Sequence, residues 1–496
     1  MIKKEIIKYF KENEMDFQRA TAILTACDMI YGAYSNSHKL HGIDFSPIFI
    51  GSELKNSHSV HRQMVAKKII LSITEKIYAD YLKDQKSLGK LITEHTALEA
   101  EIDKVWDRYT EKRSSDSNKE IAQIYKDFLA VSERWWYYGS ILEDHGEIIH
   151  NKIVPKFAEK HNLDLARADE VFNILSHPEE QTILNQERIR FLDICLEVAK
   201  GKNPNEKIES YVKDHFWFKS NFHKVTRVTK ESLLDEAKRE IENNKIAGLM
   251  KEVKDLRENF KKLHDEKAKI LSTIKLTPED KIDLEFAKKV IYWMDIRKIG
   301  MMKDFYYLME IAEDTSKKTK IPYDDLAAYT TDELGRLLDF GERINIEEIK
   351  KRKDGILTVW QKGKNREIIY GKDFVELLEE TATTSHGGDL KGQVASKGGV
   401  KSVRGKIKIV FHPESDDFNS GDILVTSMTR IEFVPLMRKA KAIITNEGGI
   451  ACHAAIVSRE LGIPAIIGTK VGTRILKNGD NVEIDFEEGI IKVIHE

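Results

Sequence analysis

His453 stands between a glycine pair and a run of small residues, in the stretch Thr445-Asn446-Glu447-Gly448-Gly449-Ile450-Ala451-Cys452-His453-Ala454-Ala455. An imidazole where a glycine loop turns into a helix can do nucleophilic chemistry. The first-turn amides of a helix lack partners within it, and its dipole favours an anion there. The same field favours the neutral ring, whose unprotonated nitrogen can attack phosphorus. A histidine at a helix start can instead hold a structural hydrogen bond, and the residue types alone leave both readings open.

The flanking elements are legible. Ala442 to Thr445 is short, apolar and partly β-branched, which predicts a buried strand. Gly448-Gly449 breaks it, and Ala454 to Leu461 has helix-forming composition. Cys452 could be a reactive thiol or could fill a slot that demands a small residue.

With its continuation Arg459-Glu460-Leu461-Gly462-Ile463-Pro464, the stretch resembles the phosphohistidine, or swivelling, domain of the phosphoenolpyruvate-utilising enzymes, among them phosphoenolpyruvate synthase, pyruvate phosphate dikinase and rifampin phosphotransferase. The family pattern is met by Thr445, Gly448, Gly449, Cys452, His453, Ala454 and Ala455. The resemblance implies that His453 accepts a phosphoryl group from a nucleotide-binding domain and carries it to a second site. It also implies that Thr445 hydrogen-bonds near the imidazole or its phosphate, while Gly448 and Gly449 let backbone amides approach the charge. Gly398-Gly399-Val400 through Gly405-Lys406, and Gly421 to Thr426, look like the family too. Ile431 departs from it, where proline is common.

Composition narrows the setting. The 496 residues suffice for two to four domains, and 41% hydrophobic content supports ample cores. A formal net charge of -2 argues against nucleic acid as the main partner. Cys27, Cys195 and Cys452 are far apart with no metal-ligand spacing, and their odd number suits a reducing compartment. The N-terminus has no signal-peptide pattern and no apolar run approaches membrane-spanning length, so a cytoplasmic protein without membrane partners is expected.

The fold class expected is multidomain: a large all-α N-terminal region followed by a small α/β phosphohistidine swivelling domain. Residues 1–275 read as helical, interrupted by a loop through Asp44 to Gly51. Residues 276–380 read as a helical segment, capped at Thr277-Pro278-Glu279-Asp280 and ending in a small hairpin of Ile356 to Trp360 and Glu367 to Tyr370. Residues 381–389 form a polar linker, and 390–496 the swivelling domain. Glu231 to Lys269 reads as one long helix, and the text from Tyr292 to Leu334 resembles the helical segment preceding the histidine domain in the family. Near Trp135-Trp136-Tyr137-Tyr138 lie Glu143, Asp144, His145, Glu147 and His150. Glu147 and His150 have the Glu-x-x-His spacing of carboxylate-bridged metal bundles, but such a site needs that motif twice and it occurs once. The aromatics read either as a pocket wall or as ordinary core.

A carrier needs a donor. The sequence contains no P-loop and no stretch resembling an ATP-grasp domain. The segment C-terminal to His453 is far short of the roughly 250 residues of a barrel that would handle phosphoenolpyruvate. The expectation is therefore a phosphotransferase that works with an ATP-grasp partner in trans, where ATP and Mg would bind, and with no cofactor or metal held by this chain. A small-molecule acceptor, with a hydroxyl as one possibility, would sit in the helical region with His145 on the acceptor side. The alternatives are a non-catalytic binding or regulatory protein that keeps the swivelling fold, and the carrier subunit of a split phosphoenolpyruvate synthase-like enzyme.

Overall fold

A computed structural model describes residues 3–13, 15–21, 24–36, 47–55, 58–114, 118–140, 148–220, 224–360, 367–374, 377, 390–411, 413, 417–429, 433–446, 453–469 and 472–494. The chain divides into two compact units, Met1–Asp16 with Ala20–Leu378 and Phe17–Arg19 with Glu379–Glu496. Among the described residues no helix is long and apolar enough to cross a membrane.

The first unit is chiefly helical. Its backbone is the helix Pro278–Thr319, roughly 60 Å long at 1.5 Å per residue. The expected hydroxyl cap opens it and is completed as a capping box: the Thr277 hydroxyl accepts from the Asp280 amide, and the Asp280 carboxylate accepts from the Thr277 amide. This helix shares one core with the helices Leu24–Asn36, Ser87–Lys112 and Asn118–Ser140, so the segment set apart at 276–380 packs within the same body as what precedes it. Long-range bonds fasten the N-terminal part: the Thr331 amide and hydroxyl donate to Asp28, and the Thr25 hydroxyl donates to the Tyr329 carbonyl.

Two readings of this region are corrected. It is not free of strands: β1 (Met15–Thr21), β2 (Ile48–Lys55) and β3 (His58–Ala66) occur where helix and loop were expected. The expected hairpin, β4 (Ile356–Trp360) and β5 (Glu367–Tyr370), supplies the reason. β4 pairs antiparallel with β2, Ile48 facing Trp360 and Ser52 facing Ile356, so β2 is completed by a strand distant in sequence. The long helix Lys230–Thr273 is also two helices, broken at Lys245, whose φ of 55 is left-handed. Arg188 donates to both Glu240 and Glu252, which a straight helix would separate by roughly 18 Å, so the two limbs turn toward one another.

A polar seam runs through the first core. The Trp293 indole N–H donates to His95 Nδ1 at 2.7 Å, and burial pushes the His95 imidazole down to about 3. The fully buried Asp304 accepts from Ser132 Oγ at 2.6 Å and Trp136 Nε1 at 2.7 Å. Burial nonetheless pushes its carboxyl up to about 7, and Glu99 up to about 7 as well.

The second unit is a sheet that closes on itself. Its strands are β6 (Leu390–Lys391), β7 (Gln393–Ser396), β8 (Ser402–Ile409), β9 (Ile423–Thr426), β10 (Ala442–Thr445), β11 (Ala465–Ile467), β12 (Asn481–Asp485) and β13 (Ile490–Val493). The order is β6-β13-β12-β8-β9-β10-β11-β7, and its end members β6 and β7 are one chain segment bent at Gly392. β8 to β11 run parallel, the rest antiparallel. β9, β10 and β11 are buried on both faces, as parallel strands require. Ile423, Val425, Ala442, Ile444 and Ile466 line the interior with residues from β6, β8, β12 and β13, while Leu424, Ile443, Ala465 and Ile467 face the helices Val434–Met437 and His453–Leu461.

The closure depends on two glycines. The Gly392 amide donates to the Gly489 carbonyl at 2.9 Å, and a Cβ on Gly489 would lie 2.4 Å from the Gly392 oxygen. A Cβ on Gly392 would lie 2.5 Å from Ile466 Cγ2 and 2.7 Å from the Ile467 oxygen. Gly392→Ala should therefore lower the stability of the second unit by about 1–3 kcal/mol, read as an earlier urea midpoint; an unchanged midpoint would mean that the corner relaxes without cost.

The seam carries a pH signature. Folded Asp304 keeps its proton to about 7, whereas its ordinary value is 3.8, so the native state binds the extra proton between those limits. Stability contributed there falls as pH rises through that window, by at most about 1.4 kcal/mol per pH unit for each such group. Asp304→Asn can still accept from Ser132 and Trp136 and has no charge to bury. Its stability relative to the parent should climb between pH 5 and 7.5 in urea titrations of the first unit, and parallel pH curves would refute the assignment.

Candidate functional site

The candidate site lies where β10 gives way to the helix His453–Leu461. β9, β10 and β11 run parallel, and their carboxyl ends all lie on this side. His453 is the first residue of the helix, as its sequence context predicts. Ala454 and Ala455 are buried, as is Ser458, whose hydroxyl donates to the Ala455 carbonyl at 3.0 Å. Ala454 and Ala455 pack against Ile443, Ala465 and Ile467 of the sheet. Small side chains thus let the helix lie close to β10 and β11 and set the height of His453 above the strands. At its other end Gly462 takes a φ of +64, and the Ile463 amide donates to the Ser458 carbonyl at 2.9 Å, a Schellman-type stop followed by Pro464.

The strand ends beside the start of this helix are polar and buried. Thr426, Thr445, Asn446 and Thr469 are all below a tenth exposed. The Thr469 amide and hydroxyl both donate to the Thr445 carbonyl, at 3.0 and 2.9 Å. The Asn446 amide donates to the Thr426 carbonyl at 3.1 Å. The Asn446 side chain accepts from the Thr473 amide at 2.9 Å and donates to the Thr473 hydroxyl at 2.6 Å. Asn446, Thr469 and Thr473 are not marked by the sequence; the available signal is a polar residue just after each of two apolar strands, Asn446 after β10 and Thr469 after β11.

Of the residues singled out beforehand, Thr445 is fully buried at the end of β10 and His453 opens the helix, with a short connection between them. Gly448, Gly449, Cys452, Ile431, the 381–389 linker, Glu143, Asp144, His145 and Glu147 lie outside the described residues. His150 is described: it lies in a π-helical turn, Ile149–Ile153, exposed, with Nδ1 2.8 Å from an Asp169 carboxylate oxygen. Trp135 and Trp136 are core, buried among three helices rather than lining an open wall. Among the titratable groups that the first unit buries are His95, Asp304 and Glu310, and Asp304 follows Lys303 within the otherwise apolar and aromatic run Met301 to Met309. Among the described residues no group of three or more His, Cys, Asp or Glu is placed to hold a metal ion.

A parallel-stranded α/β domain with a histidine opening a helix at the strand ends is the class defined here, and residues 418–489 match the PEP-utilising enzyme mobile domain. Relatives include a probable phosphoenolpyruvate synthase of Archaeoglobus fulgidus, 47% identical over 121 residues, 24% of this chain and 16% of that protein. A probable phosphoenolpyruvate synthase of Staphylothermus marinus is 42% identical over 143 residues, 27% of this chain and 16% of that one. The phosphoenolpyruvate synthase of Aquifex aeolicus is 32% identical over 218 residues, 40% of this chain and 25% of that protein. The chain thus spans a quarter or less of the length of these relatives. A match covering 40% of the chain is longer than the second unit, so the likeness to the Aquifex protein extends into the helical one.

The packing makes a direct test of the site's construction. Ala455→Leu places extra carbons between the helix and Ile443, and should destabilise the second unit by about 1–3 kcal/mol. Val457→Leu, at a half-buried position of the same helix, should change it by under ~1.5 kcal/mol. Equal unfolding midpoints for the two variants would show that the alanine is not needed for close packing.

Proposed function

We propose that this chain is the phosphohistidine carrier part of a phosphotransferase. A ring nitrogen of His453 attacks the phosphorus of a nucleotide phosphate held by an ATP-grasp partner; the P–N bond forms as the P–O bond to the nucleotide breaks, and the nucleotide leaves with the electron pair. An acceptor hydroxyl, held by the helical unit, then attacks the same phosphorus, the P–N bond breaks, and the hydroxyl proton passes to a base. Residues 381–389 would serve as the tether between the two dockings. The observation that carries this reading is the match of residues 418–489 to the mobile domain, combined with a helix that begins at His453 above the ends of parallel strands.

A second reading, carrier subunit of a split phosphoenolpyruvate synthase-like enzyme, is favoured by the Aquifex match, which runs beyond the second unit. The two differ in the acceptor: the enolate oxygen of pyruvate, formed by loss of a methyl proton to a base, in one, and a hydroxyl compound in the other. A non-catalytic module would take no phosphate at all.

The test is labelling. Incubation with cell extract and ATP labelled in its β or its γ phosphate should leave on the chain a phosphate that is lost in acid and kept in alkali. His453→Ala, in which only the first residue of a helix changes, should fold normally and carry no such label. Acid-labile label of equal amount on the Ala variant would refute the assignment, and release of labelled phosphoenolpyruvate on adding pyruvate would favour the second reading.

A further inference from the structure

Asn446 is the last described residue of the chain before His453, and it is buried. Both polar atoms of its side chain meet a single residue, Thr473: Oδ1 accepts from the Thr473 amide and Nδ2 donates to the Thr473 hydroxyl. This reciprocal pair needs one acceptor and one donor on a short planar group, which among side chains of this length only asparagine supplies. Thr473 belongs to the short helix Gly472–Ile475, and that helix is itself seated tightly. The Gly472 amide donates to the Thr469 hydroxyl at 3.3 Å, and a Cβ on Gly472 would lie 2.7 Å from that oxygen and 3.2 Å from Asn446 Oδ1.

We propose that Asn446, clamped to Thr473, is a positioning residue for His453. The clamp sits where the ends of β9, β10 and β11 are tied together. Asn446 bonds β9 through its amide and the Thr426 carbonyl. Its neighbour Thr445 receives two bonds from Thr469 beyond β11. His453 opens the helix that buried Ala454 and Ala455 hold on the sheet. Both ends of the connection that carries the glycine pair are therefore fixed to one rigid crest, and Asn446 is the side chain that fixes the first. The Thr469 bonds alone already tie β10 to β11, so the second, side-chain tie adds orientation at residue 446 rather than strand cohesion. Holding a nucleophile in its attacking geometry is worth orders of magnitude in rate, and a misplacement near 1 Å can cost about a hundredfold.

The inference rests on the phosphohistidine reading for its catalytic consequence but not for its structural one, and two measurements separate them. In the unphosphorylated protein, Asn446→Ala and Thr473→Val should speed amide hydrogen exchange at residues 446 and 473 by about tenfold or more, while the amides of Ile443 and Ile444 stay protected. In the labelling assay, both variants should phosphorylate at least about tenfold more slowly than the parent at a near-parental unfolding midpoint, and Thr473→Ser, which keeps the hydroxyl, should restore the rate. Unchanged exchange at residues 446 and 473 in both variants overturns the clamp, as does a Thr473→Ser variant as slow as Thr473→Val. Should the exchange respond while the parent takes no phosphate, the clamp stands as the anchor of residue 453 and the phosphohistidine reading falls.

Discussion

Everything at the candidate site depends on how closely one helix can approach one sheet. His453–Leu461 lies on β10 and β11 through Ala454, Ala455 and Ser458, and any larger side chain there would lift the helix and the histidine with it. Close approach makes the strand ends beneath it dry, so their polar groups must find partners among themselves. They do: Thr469 serves Thr445, Asn446 serves Thr426 and Thr473, and Gly472 has no side chain because the space is taken. The alanines after His453 and the hydroxyls at the strand ends are thus two consequences of one packing distance.

The first unit meets the same rule with titratable groups. His95 is held neutral by burial and accepts from Trp293, while Asp304 keeps its proton toward neutrality although two donors reach it. The desolvation penalty wins over the two hydrogen bonds at Asp304. It loses at Glu310, where the guanidinium of Arg227 and the Tyr306 hydroxyl, joined by Arg113, hold a carboxyl below its ordinary range despite burial. The difference is charge: neutral donors at one carboxyl, cations at the other.

How much of this was legible depends on the range of each interaction. The strand Ala442–Thr445, the helix from His453 and the capping box at Thr277 are set by neighbouring residues, and each is visible in a window of about a dozen positions. The sequence of β2 reads as loop because Pro47 precedes it, Gly51 interrupts it, and its partner β4 lies at the other end of the unit. The break at Lys245 hides in a helix-forming composition, with Asn243-Asn244 its sole local sign. Trp135 and Trp136 could be weighed as pocket or core only once three helices were assembled around them. The Asn446–Thr473 pair joins residues on different elements, and nothing near either one announces the other. Local physics was readable; long-range satisfaction was not.

The closed sheet bears on the proposed mechanism. An open sheet presents a row of unpaired backbone groups at each edge, and a domain that left one docking site for another would expose them to every passing chain. Here the two ends of the ladder are one segment, Leu390 to Ser396, turned at Gly392 and locked by Gly489, so the unit has an interior of its own on which residues from β6, β8 to β13 converge. Its remaining apolar face is covered by its own helices. A carrier that travels needs a core that owes nothing to either dock, because any contact that completed its fold at one site would hold it there. The glycines at the corner serve that independence, because a side chain on either would sit where the backbone itself must make the contact.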